Sequence, residues 1–164
     1  MTKLAGGKEA MILSDGMGSG ESAFRESAMV VEMLEELLKA GFPRKTALSM
    51  MNTALVMGRE EICFSTIDLS IFDLYTGECE FMKAGAAVTF IRKADRMEHI
   101  YSECLPLGVV QNQEVSESKK NLEAGDIVVM VTDGVLDMLP FGEQERLLDP
   151  ELHPHYLFVV CSRV

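Results

Sequence analysis

Two short segments share one ending. Leu13-Ser14-Asp15-Gly16 and Val131-Thr132-Asp133-Gly134 each leave an apolar stretch through a small hydroxyl residue into Asp-Gly. One Asp-Gly is a common turn. Two copies, each closing a buried-looking strand, point further. If those strands are neighbours, their ends bring two carboxylates together. Like charges at close range repel, and a hard divalent cation relieves the repulsion. A glycine after each aspartate leaves room for a backbone carbonyl to approach the ion. On this reading Asp15 and Asp133 are candidate metal ligands.

The stretch after Asp15 admits a second chemistry. Gly16, Gly18 and Gly20 in "GMGSGE" resemble a phosphate-cradling loop. Their spacing is GxGxG, not the GxGxxG of dinucleotide loops, and no GK[ST] is present. The alternating strand–helix–strand text that such loops need is also missing. Tight nucleotide binding without metal-linked hydrolysis would favour this alternative.

The elements that must position these residues follow from periodicity. Lys8 to Ser14 reads as a short strand after the turn text Gly6-Gly7. From Ser22 to Ala40, the residues Phe24, Ala28, Val31, Leu34 and Leu38 recur at three and four, which predicts an amphipathic helix stopped by Gly41 and Pro43. A second helix is expected from Pro43 to Met57, with Leu48, Met51 and Leu55 on its apolar face. The period then changes to two. Ile67, Leu69 and Ile71 alternate with Asp68 and Ser70, and Glu78 to Lys83 returns after the turn at Thr76-Gly77. A further hairpin turns near Ala94-Asp95-Arg96, a polar strand lies near Glu114 to Ser118, and Ile127 to Val131 is the most apolar strand. Helices grouped beside consecutive hairpins predict an α+β domain with mostly antiparallel sheets.

Composition excludes several classes. The chain has 164 residues with 48% hydrophobic and 25% charged, which suits one globular domain. A net charge of −11 argues against nucleic acid and against docking on anionic lipid, since both need Lys and Arg. Twelve Met and no Trp suggest an adaptable aliphatic core. Cys63, Cys79, Cys104 and Cys161 form no CxxC pair, so buried reduced thiols in a cytoplasmic protein are expected rather than a zinc knuckle. No apolar run is long enough for a membrane span, and the N-terminus has no signal-peptide core. Any membrane anchor of a parent protein would lie outside this chain.

Taken together, "SDGMGSGE" before a helix, "STIDLSIFDLYTGECEFMKAGAA", "LPLG" and "VVMVTDGVLD" resemble, in that order, the phosphatase domains of the stage II sporulation protein E family. These are metal-dependent protein phosphatases of the 2C type. The resemblance runs over about residues 8 to 140. It implies an α-β-β-α sandwich, a pair of Mn²⁺ or Mg²⁺ ions at one end, and hydrolysis of phosphoserine or phosphothreonine. The implied substrate is a phosphorylated anti-anti-sigma factor in sporulation control. Carried onto this chain, it makes Asp15 the bridging ligand, Gly16 a carbonyl ligand and Asp133 a ligand to one metal. Asp15 and Asp133 are then the catalytic residues.

The chain departs from that pattern at both ends. The family carries a Gly-Asp motif on an earlier strand and an aspartate pair well beyond the second Asp-Gly, and neither is found here. Residues 1–164 therefore read as a single, partial phosphatase-like domain, and 151–164, "ELHPHYLFVVCSRV", as an atypical tail. Two side-chain ligands instead of about four imply fewer bound ions or none, and weak activity. The alternative is a catalytically incomplete pseudo-phosphatase or fragment that acts as an interaction or homodimerisation module, since bare sheet edges invite pairing.

The remaining polar residues have plain expectations. His153 and His155 read as solvent-exposed, as does His99. Lys83 reads as a solvated lysine, with a phosphate-facing role as the alternative, and Asp68 and Asp73 as the polar face of a strand, with a place near the site as the alternative for Asp68. The resemblance also implies that the helix pair, residues 22–57, which connects directly to the Asp15 strand end, couples partner binding to the geometry there.

Overall fold

The computed structural model describes residues 1–16, 20–57, 64–137 and 160–163, the last by backbone alone. Thr2–Leu4 (β1) and Lys8–Leu13 (β2) form a hairpin, with Thr2 opposite Ala10 and Leu4 opposite Lys8. Its turn holds Gly6 at φ 72° and Gly7 at φ 70°, a region that glycine enters freely. β1 is too short to show alternation, which is why its sequence gives no strand signal.

Two helices follow, Glu21–Lys39 (α1) and Arg44–Met57 (α2). α1 ends where the N–H of Phe42 reaches back to the carbonyl of Leu37 and that of Gly41 to Leu38. Then come Ile67–Asp73 (β3), Glu78–Ala84 (β4), Thr89–Arg92 (β5), Met97–Ile100 (β6), Ser116–Asn121 (β7), Ile127–Met130 (β8), the one-turn helix Asp133–Leu136 (α3) and Val160–Arg163 (β9). The β3–β4 turn is tied by Asp73, whose carboxylate accepts the N–H groups of Tyr75 at 3.0 Å and Thr76 at 3.1 Å.

Among the described residues the strands form two sheets, ordered β1-β2-β3-β4-β7 and β6-β5-β8-β9, with every pairing between them antiparallel. The helix pair covers the outer face of the first sheet. There Val30, Leu34, Leu38, Ala47, Leu48 and Met51 pack against Ala10, Ile67, Leu69, Ile71 and Met82. Arg44 pairs with Glu80 and Lys45 with Glu117, fastening α2 to β4 and β7. Between the sheets lies a second core of Met11, Phe72, Phe81, Ile91, Val128 and Met130. On the far side of the second sheet, α3 sets Val135 and Leu136 against Phe90, Val129 and Val131. No helix among the described residues is long and apolar enough to cross a membrane.

The three-four periodicity places Leu34 and Leu38 of α1 in the core, as observed, but misses the first half of the face. Val30 is the buried residue where Val31 was expected, and Phe24 is 72% exposed. The first turn of α1 contacts solvent instead of the sheet, as the exposed ion pair of Glu21 and Arg25 shows. β3 departs more deeply. Its alternation suggests one wet face, yet Asp68 and Ser70 are as buried as Ile67 and Leu69. The cause is the second sheet, which covers the side opposite the helices. His99 is half-buried beside Phe90 at 5.3 Å and Tyr101 at 6.0 Å, not exposed. Cys79 is buried and Cys104 half-buried, both as free thiols; the side chains of Cys63, Cys161, His153 and His155 lie outside the described residues.

Two residues drawn onto one helix face by their spacing should thus behave differently. Leu34→Ala is expected to cost about 3 kcal/mol through the cavity it leaves. Phe24→Ala should change stability by less than about 0.5 kcal/mol. Chemical denaturation of both variants checks this.

Candidate metal centre

The Asp15 segment does not turn away from its strand. It continues the ladder: Leu13 faces Asp68, the N–H of Asp15 donates to Thr66 Oγ1 at 2.9 Å, and Gly16 bridges Ser65. The N–H of Thr66 donates back to the carbonyl of Asp15 at 2.9 Å. Ser14 Oγ and Ser65 Oγ lie 2.7 Å apart. Ser65 is in turn held by Leu107 through two backbone bonds of 3.1 and 2.9 Å. The Leu107 loop is fixed from α2 by Asn52, which accepts the Gly108 N–H and donates to the Val110 carbonyl, both at 2.9 Å. Asp15 thus stands on a relay of hydrogen bonds that ends in the second helix.

Strand alternation decides where its carboxylate faces. Met11 packs between the sheets with Leu13 against it, and Asp15 is the next residue in that series. It lies at the end of the inter-sheet layer. From the other sheet, Val128 and Met130 point into the same layer, and Asp133 follows just beyond. The two aspartates meet across the sandwich. β2 and β8 are not neighbours in one sheet, as the paired-ending argument supposed; they belong to opposite sheets. The convergence survives because both strands end at the same edge of the layer.

The meeting is electrostatically unfavourable. Burial pushes the carboxyl of Asp15 above the ordinary carboxylate range, and the charge of Asp133 and a hydrogen bond with it push it the same way. Asp133 opens α3 and is itself exposed, with its Oδ1 accepting the N–H of Gly134 at 2.8 Å. A cavity of about 120 Å³ opens beside the pair, bordered by Leu13, Thr66, Asp68, Gly85, Ala87 and Thr132 among others.

The glycines play unequal parts. A Cβ on Gly16 would stand 2.5 Å from the carbonyl oxygen of Ala23, so its missing side chain admits α1. Gly134 meets only Thr132 Oγ1, at 3.9 Å. Gly18 falls outside the described residues, so the glycine-loop alternative has no geometry here.

Sequence reasoning missed the group beneath the site. Lys83 is fully buried, not solvated, and faces Asp68 directly across the β3–β4 pairing. Its ammonium binds Asp68 Oδ2 and donates to Thr89 Oγ1 at 2.8 Å; Thr89 also donates to Asp68 Oδ2. Burial raises Asp68 and lowers Lys83, and each is drawn back by the other's charge. The turn read at Thr76-Gly77 would set Lys83 opposite Ser70; the observed register, centred on Tyr75-Thr76, pairs it with Asp68 inside two apolar runs.

The donor set is suited to a hard cation: two carboxylates that repel one another, and nearby backbone and hydroxyl oxygens. Among the described residues, no three of His, Cys, Asp or Glu are grouped tightly enough to hold an ion by themselves. The convergent pair is Asp15 and Asp133, and a hydrated ion fits it.

Comparison with known proteins agrees with this fold. The profile of the Stage II sporulation protein E (SpoIIE) family matches residues 5–155. Stage II sporulation protein E of Bacillus subtilis (strain 168) is 34% identical over 137 residues, 84% of this chain. The chain spans only 17% of that relative's length. The solved PP2C phosphatase domain of SpoIIE from Bacillus subtilis, with a fragment of its regulatory domain, superposes with a TM-score of 0.75 at 34% identity, covering 84% of this chain and 41% of that one. RsbX, solved in complex with magnesium, shares the fold at a TM-score of 0.64 and 19% identity, covering 80% of this chain and 63% of that one.

The raised carboxyl of Asp15 sets a direction for pH. Its folded value lies above the ordinary 3.8, so its contribution to stability is full below that value and is lost as pH rises through the folded one. With a chelator present, Asp133→Asn should reduce this loss and stabilise the chain by roughly 0.5 kcal/mol near neutral pH. The same substitution should weaken Mn²⁺ binding. Thermal unfolding across the acid range and calorimetry check the two opposite signs.

Proposed function

The chain belongs to the stage II sporulation protein E family, and from that premise we propose that it is a serine/threonine protein phosphatase domain of the 2C type. Its substrate is phosphoserine or phosphothreonine on a regulatory protein of the anti-anti-sigma kind. The observation that carries the reading is the meeting of Asp15 and Asp133 across the two sheets, at a cost in charge repulsion. A fold tolerates such a pair at a site that serves function rather than stability.

Asp15 and Asp133 would hold Mn²⁺ or Mg²⁺, with the Gly16 carbonyl as a further ligand. Held there, divalent ions would supply Lewis acidity toward water and the phosphoryl oxygens. The chain's own residues supply the rest. Thr66 and Ser65 fix the backbone of Asp15, which holds its Cα at the cavity mouth. The alanine and glycine wall leaves space for a phosphoryl group beside the two acids. No Ser or Cys nucleophile is required. The relationship to RsbX, whose structure contains magnesium, supports the choice of cation.

We read residues 1–164 as one phosphatase-like domain, with the tail 151–164 only partly inside the family match, which stops at 155. The helix pair is a route for regulation in this reading. α1 packs against Gly16 through Ala23, and α2 reaches Asp15 through Asn52, Leu107 and Ser65. A second reading, an interaction or dimerisation module without turnover, is favoured by one observation: two acids converge among the described residues where a divalent ion takes about six ligands.

Release of phosphate from a serine-phosphorylated anti-anti-sigma protein separates the two. The phosphatase reading expects Mn²⁺-dependent release that drops more than about a hundredfold in Asp15→Ala and in Asp133→Ala. Release that is absent from a folded chain supports the module, and release indifferent to both substitutions overturns the two-aspartate site.

A further inference from the structure

Asp68 carries an unresolved demand. It is 1% exposed, and its Oδ2 is occupied by Lys83 and Thr89. Its Oδ1 is buried with no hydrogen-bond partner among the described residues. A desolvated carboxylate oxygen left so is costly, and one in a native structure calls for an occupant. Asp68 also borders the cavity that Asp15 and Asp133 border.

No described side chain on that wall pairs with it. Gly85, Ala86 and Ala87 have no polar side-chain atoms, and the hydroxyl of Thr66 is engaged with the backbone of Asp15. Lys83 is held by Asp68 Oδ2 and Thr89. A partner held in the cavity would complete it. Its roughly 120 Å³ has room for more than one water, each taking about 30 Å³. Direct ligation is not what the grouping shows, since among the described residues no three acids stand close enough together to share an ion.

Resting on the cation-site reading above, we propose that Asp68 is a positioning residue for that site. Its Oδ1 accepts a hydrogen bond from a water that also ligates the cation held by Asp15 and Asp133. Lys83 and Thr89 lock the carboxylate by its other oxygen, so that Oδ1 is presented at a fixed angle. Register supports the placement. Asp68 stands opposite Leu13, on the same inter-sheet face that Asp15 occupies two residues later. The sandwich thus contributes a third acid without placing it on the ion.

The test is a titration with Mn²⁺ alone, read by calorimetry, beside thermal unfolding. Asp68→Asn leaves the Lys83 ammonium buried without its partner and is expected to unfold more easily. The double variant Asp68→Asn/Lys83→Met removes both charges and is expected to recover melting temperature. It should still bind Mn²⁺ about tenfold more weakly than the unaltered chain, as outer-sphere partners of metal ligands do when removed. Lys83→Met alone leaves the Asp68 charge in place and should bind Mn²⁺ at least as tightly as the unaltered chain while melting lower. A double variant that recovers both melting temperature and full Mn²⁺ affinity makes Asp68 purely structural and overturns the proposal. An unaltered chain that binds no Mn²⁺ overturns the cation-site reading, and this inference with it.

Discussion

Everything at the functional end of this molecule depends on two like charges being held together. Asp15 and Asp133 come from strands in opposite sheets, and neither would approach the other in a free chain. The work is done by the layer between the sheets, where Met11, Phe81, Ile91, Val128 and Met130 are removed from water. Each such side chain contributes roughly 1.5–3 kcal/mol on burial. The repulsion at the layer's edge is much smaller, because Asp133 remains exposed and water screens it. The sandwich can therefore close with the acids facing one another. A cation bound between them would stabilise the folded form by mass action.

The same layer contains a second charged group of opposite design. Asp68 and Lys83 are buried as a pair, with Thr89 donating from the other sheet. Removing two charges from water is expensive, and such pairs seldom repay the desolvation in full. They persist where they specify something. Here the group specifies how the two sheets register at the site: β3 and β4 supply the ions and β5 supplies the hydroxyl. A slip of one residue in β3 would turn Asp68 toward the helices and Ile67 toward the lysine.

Much of this was legible in the residues. The helices, the hairpins and the paired Asp-Gly endings follow from local period and turn chemistry, and local rules hold for local structure. What escaped was set by distant parts of the chain. Asp68 and Lys83 look like a wet strand face because a single hairpin has one; only the second sheet makes that face an interior. Phe24 fits the helical stripe, but the stripe says nothing of where the sheet beneath it stops. The placing of Asp133 in the opposite sheet from Asp15 is likewise a matter of topology. Ser65 and Asn52, which hold Asp15 in place, carry no motif; their part rests on contacts to Leu107 and Gly108 that no spacing in the chain announces.

The central claim is that one cation lies between Asp15 and Asp133. Anomalous diffraction from crystals of this chain grown with Mn²⁺ tests it most directly. The account predicts a manganese peak within about 2–2.6 Å of a carboxylate oxygen of each residue. A well-ordered structure in which the two carboxyls face each other with no peak between them, or in which manganese lies elsewhere, would contradict it.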